Sequence, residues 1–166
     1  MKKIHITIFF LLAFFTARSQ GLTASIDGSF MFPSTLFTLS EAGEDFRSSV
    51  VSETPVLVSI LSSDYWSKKN KHTNWSIYIY KSDLNWDAGL MLEARRTGAG
   101  NNVNNNGNPH INDGDNFQTI TNTPAYFFNG RDEIENIPIA INLGGFSIIM
   151  GAKDFETNIV LTVYED

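Results

Sequence analysis

Carboxylates, side-chain amides and aromatic rings supply most of the chemistry this sequence could perform. Asp83 and Asp87 flank Trp86, and Asp132, Glu133 and Glu135 follow Gly130. Two carboxylates held apart in a cleft can act as general acid and base. Any acidic chain offers such pairs, and nothing in this spacing brings two of them to one cleft, so no catalytic residue is assigned. Asn112-Asp113-Gly114-Asp115-Asn116 alternates oxygen donors around a glycine. Calcium is wrapped by runs of this kind. This one lacks the closing acidic residue of an EF-hand, and Asx turns account for it equally well. No metal site is assigned and no cofactor is implied. His72 and His110 sit in polar stretches, beside Lys71 and Pro109. A general base needs an orienting partner and a nucleophile, and the sequence nominates neither. With 0 cysteines, thiol nucleophiles, Cys-ligated zinc and iron–sulfur clusters are all excluded.

The aromatic residues offer a different chemistry. Tyr78 and Tyr80 alternate on the strand face opposite Trp75, and Trp66 and Trp86 lie on either side of that segment. Trp66, Tyr78, Tyr80 and Trp86 therefore form a candidate aromatic ligand face. Exposed rings of this kind stack on sugars, which makes a glycan the ligand class to expect. The other reading is that one ring face fills the core and the other covers a sheet edge.

The elements that must carry these residues have a period of two. Ile137, Ile139, Ile141 and Leu143 fall on one face of the segment 136–143. Ile159, Leu161 and Val163 alternate with Val160, Thr162 and Tyr164. Val56, Val58 and Ile60 alternate, as do Trp75, Ile77 and Ile79, and Leu90, Leu92 and Ala94. Shorter strands are predicted at 35–39, 117–120, 125–128 and 146–150. Turn residues punctuate them at Glu41-Ala42-Gly43, Asp87-Ala88-Gly89, Asn129-Gly130, Gly144-Gly145 and Gly151. The pattern predicts an all-β fold, an immunoglobulin-like sandwich of short antiparallel strands. The Gly- and Asn-rich stretch 97–116 buries too little apolar surface to order itself and reads as a mobile loop or loose hairpin connection.

Residues 1–19 read as an export signal: Lys2 and Lys3, an apolar run from Ile4 to Phe15, then Ala17 and Ser19 before the cut. The run is shorter than the ~20 residues needed to span a bilayer. The expected destination is the periplasm, cell surface or extracellular space, with no integral membrane segment after cleavage. Removing Lys2, Lys3 and Arg18 takes the 12 basic residues to 9 against 18 acidic ones, a net charge of −9. Such a surface repels phosphate backbones, so nucleic acid is not an expected partner. The expected organisation is a signal at 1–19, a first or donor strand at 20–33, and one sandwich domain at 34–166.

Apolar residues and Gly alternate at the start of the mature chain: Leu22, Ala24, Ile26, Gly28, Phe30 and Phe32, followed by Pro33. An apolar terminal strand must join its own sheet or be given to a neighbour. The run Ile26-Asp27-Gly28-Ser29-Phe30-Met31-Phe32 resembles the N-terminal extension of chaperone–usher pilins. The last strand, with Gly151 upstream of Ile159, Leu161, Val163 and Tyr164, is similar to the closing strand of those subunits. The resemblance implies a sandwich lacking one strand, a periplasmic chaperone that caps the groove, and like subunits joined by strand exchange. The chain departs from many pilins in having no disulfide. The function expected on this ground is a non-catalytic structural or adhesive subunit of a fimbria-like surface polymer. The alternative is a secreted carbohydrate- or ligand-binding module that uses the aromatic face.

Overall fold

The computed structural model describes residues 21–32, 49–62, 73–103, 110–147, 150 and 154–166. Their backbone forms two antiparallel sheets. The first runs in the order β1 (Leu22–Asp27), β3 (Val56–Ser62), β10 (Ile134–Gly144), β5 (Met91–Arg96) and β8 (Gln118–Thr119), with β2 (Ser49–Val51) and β6 (Asn101–Asn102) also paired to β10. The second runs β11 (Glu156–Glu165), β4 (Asn74–Asn85), β9 (Ala125–Arg131) and β7 (His110–Asn112). The expected all-β class is what the chain adopts. The segment 1–19, the strand predicted at 35–39 and the turn at Glu41-Ala42-Gly43 lie outside the described residues.

The core forms where the period-two faces meet. Val58 and Ile60 of β3, Leu92 and Ala94 of β5, and Ile137, Ile139 and Ile141 of β10 pack in one cluster with Trp75, Ile77, Ile79, Phe127 and Phe128 of the second sheet. Strict alternation fails once in β9, where Phe127 and Phe128 are both buried. The β4–β9 register shifts between Ile77 and Tyr78, so an extra β9 residue is accommodated there. That is a bulge, and it turns both rings inward.

Several local expectations are corrected. Asn129-Gly130 is not a turn: both residues lie inside β9. Gly130 is required because a β-carbon there would overlap the Trp75 ring. The chain instead leaves the second sheet for the first at Asp132, which takes a φ of 64°. Asp132 N–H donates to Thr73 O at 2.8 Å, and the Trp75 indole N–H donates to Asp132 O at 2.7 Å. The strand predicted at 146–150 is absent among its described residues. Gly145 turns the chain out of β10 at a φ of 81°, and Met150 N–H donates to Ser147 O at 3.0 Å.

The stretch 97–116 contains both β6 and β7. These strands gain order from pairing with β10 and β9 rather than from an apolar face of their own; residues 104–109 between them, and the mobile-loop expectation there, lie outside the described residues. The Arg96 guanidinium fastens both sides, donating to Gly98 O at 2.9 Å and to Asp113 O at 2.8 and 3.1 Å.

Candidate functional site

Two surfaces stand out. The first is the seam where the edge strands β1 and β11 lie side by side. β1 pairs with β3 from Leu22↔Ser62 to Asp27↔Leu57. Among the described residues no ladder joins β1 to β11; β1 pairs with β3 and β11 with β4. On β11, Ile159, Leu161 and Val163 face the core but stay half-buried. The inward residues of neighbouring β4, Trp75, Ile77 and Ile79, are at most 1% exposed. The sandwich is therefore closed at its centre and open along this seam.

The predicted single face of the N-terminal segment divides in two. Leu22 and Ala24 are half-buried against the core, whereas Ile26 is 55% exposed. The chain then bends at Gly28, whose φ of 95° is strained for residues with a side chain. A β-carbon there would meet only Pro55 O at 3.7 Å and Val56 Cα at 3.9 Å, so backbone conformation, not space, calls for glycine in this arrangement. Beyond the bend, Glu53 N–H donates to Met31 O at 2.7 Å and the Thr54 hydroxyl to Ser29 O at 3.1 Å. These bonds hold Phe30 and Phe32 against the core.

The second surface is the outer face of the second sheet. Cross-strand registers arrange it in rows. Tyr164, Ser76, Asn129 and Asn112 are successive neighbours across β11, β4, β9 and β7. One row along, Asp166, Asn74, Arg131 and His110 align. On the other side Thr162, Tyr78 and Tyr126 align. The Tyr78 ring meets Tyr126 at 6.0 Å and Tyr164 at 5.2 Å, edge to face in both cases. An open polar cleft of about 470 Å³ lies over the first two rows, lined by Asn74, His110, Asn112, Asn129, Arg131 and Asp166.

Hydrogen bonds fix this face. Asn112 Nδ2 donates to Asn129 Oδ1 at 3.0 Å, and the Ser76 hydroxyl donates to Asp166 Oδ2 at 2.6 Å. The Tyr126 hydroxyl donates to Asp113 Oδ2 at 2.6 Å. Partial burial, and then the Asp113 carboxylate, push the Tyr126 pKa up to about 12 from its ordinary 10.0. The folded chain thus keeps a proton that the unfolded chain releases first. That contribution to stability is whole below about pH 10 and is lost as the pH rises through about 12. Urea unfolding across this range is expected to show a falling midpoint that Tyr126→Phe flattens. An equal fall in both proteins would reject the assignment.

Of the candidate aromatic face, Trp66 lies outside the described residues, as does Gly151 of the closing-strand motif. Tyr78 and Tyr80 occupy the outer face, half-buried. Trp86 does not join them. β4 ends at Asn85, and the turn at Asp87–Gly89 lays Trp86 against the core, with its Nε1 donating to Leu90 O at 3.3 Å and Lys81 Nζ 5.2 Å from its ring centre. The rings that do flank Tyr78 are Tyr126 and Tyr164. Their alternation was readable in the sequence, but the register that joins the strands was not.

Of the carboxylates weighed for acid–base work, Asp83 and Asp87 are taken up in hydrogen bonds within the chain. Asp83 accepts from Lys81 at 2.5 and 2.6 Å, from Asn122 at 2.9 Å and from Thr157 at 2.8 Å. The Lys81 hydrogen bond leads in keeping its pKa below the usual carboxylate value. Asp87 Oδ1 accepts Gly89 N–H at 2.9 Å, an Asx turn. In the Asn112–Asn116 run, Asp113 is engaged by Arg96 and Tyr126. Among the described residues no group of three or more His, Asp and Glu is placed to hold a metal ion. No family model, curated protein or solved structure matches this chain.

Proposed function

We propose that this chain is a non-catalytic, exported structural subunit whose copies join by exchanging β1, as the likeness of its two ends to chaperone–usher pilins implies. The observation that supports this reading is the open seam. Among the described residues β1 pairs with β3 alone, most of its residues are exposed, and the inward side chains of β11 beside it are only half-covered. A β1 supplied by another copy would take the same place beside β3 and β11, pairing with β3 from Leu22↔Ser62 to Asp27↔Leu57 as it does in cis, the logic of β-augmentation. Exchange of an identical element costs little, since the contacts made in trans repeat those made in cis. A periplasmic chaperone is the partner that would shield the seam before assembly.

The absence of cysteine makes a direct test available. Thr23 and Leu61 are paired across β1 and β3. Antiparallel partners of this kind lie within disulfide reach. Thr23→Cys protein and Leu61→Cys protein are to be unfolded together, refolded at high concentration and oxidised. A disulfide linking position 23 of one copy to position 61 of the other, identified by peptide mass, is the expected product. If no such cross-link forms, while a chain carrying both substitutions closes quantitatively on itself, strand exchange is rejected.

A further inference from the structure

We infer that the outer face of the second sheet, at the cleft between β11 and β7, binds a neutral saccharide. The inference is independent of strand exchange, because it uses the solvent side of β11 rather than its edge and inward side. Three observations carry it.

The lining chemistry comes first. Asn74, Asn112 and Asn129 each carry a carbonyl acceptor and an NH₂ donor, and they lie beside a carboxylate, Asp166, and a guanidinium, Arg131. Sugar hydroxyls both donate and accept, so mixed amides match them where a single-sign site would not. The cleft, at about 470 Å³, falls in the range of small-ligand sites.

Arg131 comes second. Its Nε is shielded from solvent and has no hydrogen-bond partner. A buried donor left unpaired is costly, and the same side chain lines the cleft.

The third is the flanking ring row. Tyr126 and Tyr164 are 37% and 53% exposed, on either side of Tyr78. Tyrosine presents an apolar face to the C–H face of a sugar and a polar tip to its hydroxyls. The side chains are held in advance by the Asn112–Asn129, Ser76–Asp166 and Tyr126–Asp113 bonds, so less ordering is needed when a ligand arrives. The remaining choice, neutral over acidic, follows from the −9 charge after signal removal, which repels an anionic glycan without opposing a neutral one.

The test is an array of neutral and acidic glycans probed with the protein from Gln20 onward, together with Tyr126→Ala and Asn129→Ala. Retention of neutral glycans is expected, weakened about tenfold by either substitution. Amide shifts of the unsubstituted protein, titrated with the best-retained glycan, should be confined to the outer rows of β4, β7, β9 and β11. This second readout does not depend on the variants folding. An array on which no neutral glycan is retained overturns the inference. So does a preference for acidic glycans, or shifts centred elsewhere in the molecule.

Discussion

Replacing Trp75 with alanine is expected to destabilise the fold by about 3–5 kcal/mol, the range for deleting a large buried ring. Trp75 is 0% exposed, stands edge to face with Phe128 at 6.0 Å, and donates its indole N–H to Asp132 O. Alanine would leave a cavity between the sheets and withdraw the donor from the carbonyl at the crossing. Gly130 should share this sensitivity from the opposite direction. A β-carbon there overlaps the Trp75 ring, so Gly130→Ala should cost about 1–3 kcal/mol through overpacking. The two effects must couple: in Trp75→Ala protein the space is vacant, and a further Gly130→Ala should cost much less than it does alone. Urea unfolding of the four proteins measures this cycle. Additive losses would mean that the indole and Gly130 are not packed as described.

The second large effect concerns the N-terminal segment. Protein beginning at Pro33 should lose the half-buried side chains of Leu22, Ala24, Phe30 and Phe32 and the whole β1–β3 ladder. Partial burial of these side chains is worth several kcal/mol, which corresponds to a melting temperature lower by roughly 10–20 °C. A synthetic peptide spanning residues 22–32, added to the shortened form, should restore most of that loss in a concentration-dependent way. If the shortened form melts as the longer one does, or ignores the peptide, the segment is a dispensable edge and the assembly reading loses its acceptor. The peptide experiment measures whether the seam accepts a strand in trans; the cysteine experiment above measures whether whole chains use it.

Much of the architecture was legible because burial in a two-layer fold imposes a period of two. Trp75, Ile77 and Ile79, and Ile137, Ile139 and Ile141, mark their inner faces without help from any other part of the chain. What could not be read was pairing. His110, Asn112, Asn129, Arg131 and Asp166 are scattered along the sequence and meet only because β7, β9, β4 and β11 align in one register. Tyr126 and Tyr164 escaped notice as partners of Tyr78 for the same reason. Asn129-Gly130 was misread because glycine has two uses, freedom of φ and absence of a side chain. Nothing local distinguishes a turn from a seat for an indole. Trp86 was misplaced because alternation predicts a face only while the strand lasts, and β4 stops one residue short of it.

The position of β10 in the chain bears on the order of folding. β10 pairs with β2, β3, β5 and β6, all of which precede it. As the polypeptide emerges N-terminus first from a ribosome or a secretion pore, β3 and β5 have no common neighbour until residue 144 has passed. β4 likewise waits for β9 and then for β11, whose last residue is Glu165. Contacts so distant in sequence close slowly. The two sheets of the described residues therefore close late, after β10 and then β11 have emerged.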